Sequence, residues 1–385
     1  MKILFTHAPP DQYGASRSLL RLTSRLHQDG HIVKVILPSY GVLIDALKKN
    51  KIESIIHKNL FHITREKVNN PLSAFLFPFT LFASVISIIN VIRAFKPDII
   101  HTNTSLILSS SIAAKIYKTR HIWHIRESFS EFGLLWKIFR KFILYFSHNI
   151  ICVSNPILQQ FGEGIIDDKV ITIHNGIPKK EFPIIEEEKI RAFKSQFNIN
   201  GYVNIGVVGR IKFGRKGQDV FLRSAAILKD KFPNARFIII GSAFPGNEIH
   251  QDMLNNLIKE LQLEKVVICT GDVEEIKVVF ASLDISVLPS ALPEPFSGVV
   301  IESMAMFKPV VGSKIGGTIE QIDDCETGFL VEPNNPEHLA IALEKLLINP
   351  ELRDLMGRAG RKKYEEEFEF IPYYNKILNL YNQNS

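Results

Sequence analysis

Short apolar runs rich in Val and Ile alternate along the chain with longer stretches whose apolar residues recur at helical spacing. The short runs are typical of buried strands and the longer stretches of amphipathic helices. Strand and helix in alternation predict a doubly wound parallel α/β sheet, here built twice. Strands are predicted at residues 3–6, 32–37, 99–101, 121–124, 150–153 and 170–173, and then at 203–208, 236–240, 266–270, 285–288, 309–312 and 328–331.

The length of the chain favours two domains. A chain of 385 residues is too long for one compact core, and 46% hydrophobic residues are enough for two. Prolines and charged residues interrupt the pattern at residues 177–183. The boundary is therefore predicted there, with a first domain at residues 1–178 and a second at 179–365.

The N-terminus and the cysteines indicate where the protein resides. Residues 1–7 contain only a three-residue apolar run, so they predict a first buried strand rather than a signal peptide. Cys152, Cys269 and Cys325 are far apart and form neither a disulfide nor a metal-binding pattern. A reducing, cytoplasmic compartment is predicted, with each cysteine acting as a small buried apolar residue.

Glu294 and Glu302 lie eight positions apart and flank a turn of small residues before an apolar, helix-like run. Three prolines disfavour helix before the turn, so a helix is predicted to begin near Ser297 and Gly298. Unpaired N–H groups and the helix dipole favour an anion at such a start. Two carboxylates beside a phosphate site indicate a sugar nucleotide, although an ordinary solvated helix start has the same spacing.

Four cations follow the strand predicted at residues 203–208. They are Arg210, Lys212, Arg215 and Lys216. Ligands of open α/β sheets bind at the carboxyl ends of the strands, so this position predicts an anion site. A solvated charged face is the alternative.

Several short motifs accompany these two segments. They are Gly14-Ala15, Lys-Pro-Asp-Ile-Ile-His at residues 96–101, Trp123-His124, Val153-Ser154, His-Asn-Gly-Ile at 174–177, Gly209-Arg210 with Lys216-Gly217, residues 294–302, and Gly316-Gly317. In these motifs the chain resembles, over nearly its whole length, the retaining glycosyltransferases of the GT-B fold. It is most similar to family 4 of these enzymes, which includes many bacterial polysaccharide and lipid glycosyltransferases.

The resemblance implies an architecture. In a GT-B enzyme two Rossmann-like domains face a central cleft. Residues 1–178 would be an acceptor-binding, membrane-associated domain and residues 179–365 a nucleotide-sugar-binding domain. Residues 366–385 would form a terminal helix that crosses back to the first domain.

The resemblance also implies roles for individual residues. Arg210 and Lys216 would bind the donor diphosphate, Glu302 the ribose and Glu294 the donor sugar, while His124 would face that sugar. The implied catalytic residues are thus His124, Arg210, Lys216 and Glu294. The other implied donor contacts are Gly14, Ala15, Phe296, Ser297, Gly298, Val299 and Glu302, with the base held near Gly271, Asp272 and Val273. Neither a metal ion nor another cofactor is expected, because the cations and the helix start neutralise the diphosphate.

The chain departs from the family's pattern in two places, and one of them is the unusually basic insert between Arg210 and Lys216. Many relatives have a Gly-Gly pair in the first loop, where this chain has Tyr13 and Gly14, so a close approach of backbone to phosphate is less assured. The remaining strand-end histidines are predicted to be structural hydrogen-bonding residues. They are His7, His101, His121 and His174.

Charge is distributed unevenly. The net charge is +6, and the excess of Lys and Arg lies in the first 170 residues. At residues 129–146 aromatic residues alternate with Lys137, Arg140 and Lys141, which is typical of an interfacial membrane helix. A core helix with a basic edge is the alternative, and no motif for nucleic acid accompanies it.

Residues 72–92 contain no charged residue and are long enough to span a bilayer. Pro78 and several polar residues interrupt them, and spanning would place two strands of one sheet on opposite sides of a membrane. A buried or membrane-dipping helix is therefore predicted.

The sequence predicts a cytoplasmic enzyme, peripheral on the inner face of the cell membrane. It would transfer a sugar from a nucleoside diphosphate sugar to a hydroxyl of an acceptor sugar, which can be lipid-linked. A sugar-nucleotide 2-epimerase of the same fold is an alternative, and so is a non-catalytic sugar-nucleotide-binding partner in polysaccharide assembly. The base, the sugar and the acceptor stay open.

Overall fold

The computed structural model describes residues 1–11, 13–64, 71–129, 132–162 and 169–383. Their contacts divide the chain into two compact units. The first is Met1–Asn175 with the segment from Tyr373 onward, and the second is Gly176–Pro372. Each unit contains one parallel sheet with helices between successive strands, as the alternating pattern predicted.

The first unit is built on seven parallel strands in the order β3-β2-β1-β4-β5-β6-β7. They are β1 (Lys2–Thr6), β2 (Ile32–Leu37), β3 (Glu53–Ile56), β4 (Ile99–Thr102), β5 (Arg120–Ile125), β6 (Asn149–Cys152) and β7 (Val170–Thr172). The helices are α1 (Gly14–Gln28), α2 (Val42–Lys49), α3 (Pro71–Phe95), α4 (Ser109–Ile116), α5 (Gly133–Phe146) and α6 (Asn155–Gln159).

The second unit has six parallel strands in the order β10-β9-β8-β11-β12-β13. They are β8 (Val203–Val208), β9 (Ala235–Ile240), β10 (Val267–Gly271), β11 (Ile285–Leu288), β12 (Val310–Ser313) and β13 (Gly328–Val331). The helices are α7 (Glu187–Gln196), α8 (Gln218–Leu228), α9 (Ile249–Glu260), α10 (Ile276–Ser282), α11 (Gly298–Ala305), α12 (Thr318–Gln321), α13 (Pro336–Ile348) and α14 (Pro350–Lys363). A π-helical turn (Tyr364–Phe368) then leads into α15 (Phe370–Asn382).

Strand β3 is the strand that the sequence pattern missed. It begins with Glu53 and Ser54, and its residues are only partly buried, so it lacks the apolar run that marks the other strands. As an edge strand it pairs with β2 alone, and Lys34 Nζ lies 2.6 Å from Glu53 Oε1 across that pair. Every predicted strand is present, with its ends within one residue of the prediction.

Helix α5 corrects one part of the prediction for residues 129–146, the placement of Trp136 and Arg140. Trp136 is buried and stacks on Phe129 with 4.6 Å between ring centroids, so the Trp faces the core rather than a membrane. Arg140 donates to the carbonyl oxygen of Phe161 at 2.7 Å, so this cation is engaged within the unit. Lys137 and Lys141 are exposed, as predicted. Residues 130 and 131 of the segment lie outside the described residues.

Two cysteines also differ from the prediction. Cys152 is buried, as expected, but Cys269 and Cys325 are exposed. Cys325 lies in the turn before β13, with a positive φ of 66°, and Cys269 lies in the edge strand β10. Edge and turn positions leave a side chain open to water even when the residue itself is apolar.

Candidate functional site

The centre of the second sheet is a topological switch point. Strands β8 and β11 are neighbours there, whereas the chain continues outward from β8 to β9 on one side and from β11 to β12 on the other. The loops that follow β8 and β11 diverge at this point, which is where open α/β sheets bind ligands. The first loop carries Arg210 and Lys216, and the second carries Glu294.

Lys216 and Glu294 form an ion pair in this crevice. Lys216 Nζ lies 2.6 Å from Glu294 Oε1, and Ser290 Oγ donates to the same oxygen at 3.0 Å. The Glu294 side chain is 18% exposed and that of Lys216 33%, so both can still be reached from solution. The crevice thus presents a cation and a carboxylate side by side, which suits a ligand with a phosphate next to a hydroxyl.

Gly217 allows the two loops to meet. Its φ is 71°, and a Cβ built on it would lie 1.7 Å from the carbonyl oxygen of Pro289. The Ala291 amide also donates to the carbonyl of Arg215 at 3.0 Å. Only glycine combines this dihedral angle with this close approach. The packing of the two loops therefore positions Lys216 beside Glu294.

A third loop supports Glu294 from behind. The Gly317 amide donates to the carbonyl of Glu294 at 2.8 Å. Gly316 has a φ of 60°, and a Cβ there would lie 2.5 Å from the same carbonyl oxygen. The Gly316-Gly317 motif thus fixes the backbone that carries the carboxylate.

Helix α11 begins directly after this loop. Gln321 binds the backbone of Ser297, the residue that precedes the helix. Its side-chain oxygen accepts from the Ser297 amide at 3.0 Å, and its side-chain nitrogen donates to the Ser297 carbonyl at 2.7 Å. The predicted anion site therefore offers one backbone amide fewer than expected, because the Ser297 amide already donates to Gln321. A Cβ at Gly298 would have no atom within 4 Å, so the space beside the first helical residue is open.

Three further predicted residues surround the start of this helix. Glu302 is buried one turn inside α11, with 4% of its surface exposed. Phe296 packs against Phe368 with 5.6 Å between ring centroids, so its side chain supports the core. Val299 lies in the first turn of the helix, where its carbonyl accepts from Ser303 Oγ at 2.7 Å.

Arg210 has an aromatic neighbour that the sequence did not reveal. Its guanidinium carbon lies 4.3 Å from the centroid of the Phe244 ring. Its carbonyl accepts from Gln218 Nε2 at 2.9 Å, which fixes the backbone of the loop. Phe244 comes from the loop after β9, so the adjacent strand helps to orient this cation.

The residues predicted to contact a base lie further along the same sheet edge. The Gly241 amide donates to the Gly271 carbonyl at 2.9 Å. Asp272 accepts from the Ser242 amide at 3.1 Å and from Ser242 Oγ at 2.5 Å. Val273 packs against the apolar core. The loops after β9 and β10 are thus joined by hydrogen bonds, in which the Asp272 carboxylate accepts from Ser242.

In the first unit, His124 is fully buried near the carboxyl end of β5. Arg126 follows two residues later and holds several polar groups at once. Its guanidinium donates to Asn103 Oδ1 at 3.1 Å, to Asn175 Oδ1 at 2.7 Å and to Ser18 Oγ at 3.1 Å. No sequence motif indicates this cluster, because its members are far apart in the chain.

Arg126 also determines the state of His124. Its Nη2 lies 3.3 Å from His124 Nδ1. A guanidinium can only donate, so Nδ1 accepts and the proton of the neutral ring lies on Nε2. Burial, and then the charges of Arg126 and His101, hold the pKa of His124 well below its ordinary value. Among the described residues Nε2 has no hydrogen-bond partner. His124 is therefore a neutral donor at physiological pH.

The loop between β1 and α1 differs from a simple phosphate-binding loop. Gly14 and Ala15 begin α1, as predicted, but Asp11 Oδ1 accepts from the Tyr13 amide at 3.0 Å and from Ser16 Oγ at 2.6 Å. A carboxylate thus lies at this helix start. Asn103 Nδ2 donates to the Ala15 carbonyl at 3.2 Å, which links the loop to the Arg126 cluster.

Three of the four strand-end histidines take the structural roles predicted for them. His7 contacts Ser16 Oγ at 2.9 Å, His101 contacts the Tyr381 hydroxyl at 2.6 Å, and His121 contacts Thr102 Oγ1 at 2.9 Å. All three are fully buried, whereas His174 is half-buried. The structure therefore brings the predicted residues into two groups, one in each unit.

Comparisons with known proteins identify the family to which the chain belongs. The family model described as glycosyl transferases group 1 matches residues 189–363. The model described as glycosyltransferase family 4 matches residues 13–181. Between them the two models span most of both units. The chain therefore belongs to the glycosyltransferases that these two models describe, which are transferase enzymes with the GT-B fold.

Individual relatives have the same character. The uncharacterized glycosyltransferase MJ1607 of Methanocaldococcus jannaschii is 30% identical over 62% of this chain and 60% of its own, so the match spans less than two thirds of that relative. The capsular polysaccharide biosynthesis glycosyltransferase CapM of Staphylococcus aureus is 27% identical over 78% of this chain and 82% of its own. HepE of Anabaena, solved with UDP and glucose, has a TM-score of 0.85 over 100% of both chains at 22% identity, which shows a shared fold.

Proposed function

We propose that the chain is a retaining glycosyltransferase that moves a sugar from a nucleoside diphosphate sugar to an acceptor hydroxyl, in the synthesis of a polysaccharide or glycolipid. The ion pair of Lys216 with Glu294 at the switch point supports this most directly, since it offers a phosphate-binding and a hydroxyl-binding group at one place. The likeness to CapM supports the choice of pathway.

The proposed reaction breaks the bond between the anomeric carbon and the diphosphate oxygen, and the electron pair goes to the diphosphate. Arg210, Lys216 and the start of α11 stabilise the charge that grows there. The acceptor oxygen attacks from the face that the diphosphate leaves, and a diphosphate oxygen takes its proton. This sequence of bonds retains the configuration of the sugar.

The other residues hold the donor. Glu294 accepts hydrogen bonds from hydroxyls of the sugar, and Glu302 accepts from the ribose. The Nε2–H of His124 donates to the transferred sugar, for which its neutral state is suited. Gly14 and Ala15 contact the donor through their backbone, as do Gly298 and Val299.

The proposal requires no metal ion, because two cations and a helix start are available to neutralise the leaving diphosphate. We place the protein in the cytoplasm, peripheral on the inner face of the cell membrane. The acceptor is a sugar, which can be lipid-linked. A soluble sugar acceptor would make the membrane unnecessary for turnover.

The first experiment screens UDP-, GDP- and ADP-sugars for release of the nucleoside diphosphate, with and without sugar acceptors. With the active donor, Arg210→Ala and Lys216→Ala should each lower kcat/KM by roughly 100- to 1000-fold, as expected for loss of one transition-state donor. Lys265→Ala elsewhere in the second unit is the matched control, because Lys265 is exposed and lies outside the predicted anion site. Wild-type turnover in both test variants would refute the proposed binding of the diphosphate by Arg210 and Lys216. Epimerisation of the donor sugar at C2 without an acceptor would favour the epimerase.

A nucleotide titration separates the two carboxylates. Glu302→Gln should weaken binding of the nucleoside diphosphate, whereas Glu294→Gln should leave that binding nearly unchanged and impair sugar transfer. Equal losses of nucleotide affinity would contradict the assignment. Turnover that persists in EDTA is expected, and its loss would contradict the metal-free reaction.

A further inference from the structure

Helix α3 exposes a continuous row of large apolar side chains. Six of them lie on one side of its first four turns. They are Leu72, Phe75, Leu76, Phe79, Phe82 and Ile86, here called the apolar ridge, and each is at least 41% exposed. Three phenylalanines at 67–71% exposure in one row are unusual for a surface that faces only water.

The opposite side of α3 belongs to the core. Val85, Ile88 and Ile92 pack on Leu4 and Ile100 of the sheet. The most apolar 18 residues of the stretch Phe75–Phe95 have a mean hydropathy of 2.2, yet only 28% of them are buried. An ordinary core helix of this composition would be mostly buried. Helix α3 is therefore more apolar than its packing on the sheet requires.

The helix cannot cross a bilayer in this fold. It connects β3 to β4, which belong to one parallel sheet, and the second half of the helix is packed on that sheet. Crossing would draw the buried half out of the core and separate the strands. The ridge can enter a membrane only from one side, lying roughly along the surface.

The neighbouring helices extend this face with positive charge. Ser84 Oγ donates to Ser109 Oγ at 2.7 Å, which joins α3 to α4. Lys115 Nζ lies 4.8 Å from the Tyr145 ring centroid, which joins α4 to α5. The sequences of all three helices contain no Asp or Glu. Lys137 and Lys141 on α5 are exposed beside Leu134 and Ile138.

We propose that the apolar ridge inserts into the headgroup and upper acyl region of a bilayer that contains anionic lipid, with α5 lying beside it on the lipid surface. Apolar side chains without acidic neighbours suit lipid chains, and the adjacent lysines suit anionic headgroups. The inference extends the membrane attachment proposed above and does not depend on sugar transfer, because vesicle binding requires neither donor nor acceptor.

The test is co-sedimentation of the purified full chain with vesicles of phosphatidylcholine, with or without phosphatidylglycerol. The triple variant Phe75→Ser, Phe79→Ser, Phe82→Ser should lower the vesicle partition coefficient by more than about tenfold. The matched control replaces three exposed apolar residues of the second unit, Ile341→Ser, Ile348→Ser and Leu355→Ser, and should bind as the wild type does.

A second variant examines the charged part of the surface. Lys137→Glu with Lys141→Glu should weaken binding to vesicles with phosphatidylglycerol and leave binding to phosphatidylcholine alone unchanged. Unchanged tryptophan fluorescence and nucleotide affinity in all variants would show that the fold is intact.

The outcomes separate the ridge from the wider proposal. If the wild type binds vesicles and the triple phenylalanine variant binds equally well, the ridge is not the anchor. If the wild type binds neither vesicle, membrane attachment itself is wrong, whereas sugar transfer remains to be judged by turnover. If light scattering shows a dimer that the same variant converts to a monomer, the ridge is a contact between two copies and the inference is overturned.

Discussion

Arg126 shows how one side chain can set the chemistry of another. The neutral oxygens of Asn103, Asn175 and Ser18 surround its guanidinium, and another of its N–H groups points at His124. Burial lowers the pKa of Arg126. Holding a cation at this depth costs solvation free energy that these hydrogen bonds offset. Such a residue is a positioning residue, since its contacts orient His124 rather than meet the substrate themselves.

We expect Arg126→Met to release His124 from its fixed tautomer. Without the guanidinium, Nδ1 can carry the proton, and the pKa of His124 rises because one of the charges that lowers it is removed. Nitrogen-15 NMR of labelled histidine would show the change of tautomer. Turnover should fall by roughly 10- to 100-fold through kcat, as for loss of a hydrogen bond to a charged group, with the KM for the donor little changed.

Arg126→Lys is the control for charge. It keeps the positive charge but lacks the planar fork, so it should retain much of the pKa depression while losing the fixed tautomer. A His124 that keeps its Nε2–H tautomer in the Met variant would show that Arg126 does not position the ring.

At the scale of elements, the strands were predictable and the contacts between loops were not. Buried parallel strands are read from apolar runs such as residues 203–208 and 285–288, because both faces of such a strand meet the core. The half-exposed β3 lacks that signal. The ion pair of Lys216 with Glu294 joins loops far apart in sequence, so only the pairing of β8 with β11 brings them together.

The same reasoning applies to the orientation of the helices. Composition marked residues 72–92 and 129–146 as apolar or amphipathic but did not show which side faces the sheet. Trp136 faces inward, whereas Phe75, Phe79 and Phe82 of α3 face outward, and packing alone decides this. The Arg126 cluster was missed for a related reason, since its members come from α1, β5 and the loops after β4 and β7.

Gly217 and Gly214 provide a matched test of loop packing. Both have a φ of 71°, but a Cβ at Gly214 would meet no atom within 4 Å, whereas one at Gly217 would overlap the Pro289 carbonyl. Gly214→Ala should cost about 1–3 kcal/mol in the free energy of unfolding from backbone strain alone. Gly217→Ala should cost more and should also weaken nucleotide binding, because Lys216 moves away from Glu294.

Calorimetric unfolding and nucleotide titration of the two variants would measure these effects. Similar losses in both properties for the two alanine variants would mean that the approach to Pro289 is not what positions Lys216.

At the scale of the whole molecule, we expect the first unit to be sensitive to acid. The first unit buries His7, His101, His121 and His124 completely. Burial, and then the charge of Arg126, lowers the pKa of His7 to about 3. Burial, and then His148, lowers the pKa of His121 to about 3. The pKa values of His101 and His124 are also well below the ordinary value of 6.5, mainly because of burial.

These shifts predict the direction of the pH dependence. Above pH 6.5 the histidines are neutral in the folded and the unfolded chain and leave the stability unchanged. As the pH falls below 6.5, the unfolded chain takes up protons that the folded unit cannot. Each buried histidine then lowers the free energy of unfolding by up to about 1.4 kcal/mol per pH unit, until the pH reaches its folded pKa.

Tryptophan fluorescence isolates the first unit, because both tryptophans of the chain, Trp123 and Trp136, belong to it. Urea unfolding followed by this signal should show a midpoint that falls steeply between pH 7 and pH 5, a range in which few carboxylates titrate. His121→Gln should reduce the slope of the free energy of unfolding against pH by the contribution of roughly one proton, about 1.4 kcal/mol per pH unit. The substitution removes one of the groups that must stay neutral in the folded unit. A midpoint that is the same at pH 7 and pH 5 would show that the buried histidines accept protons without unfolding.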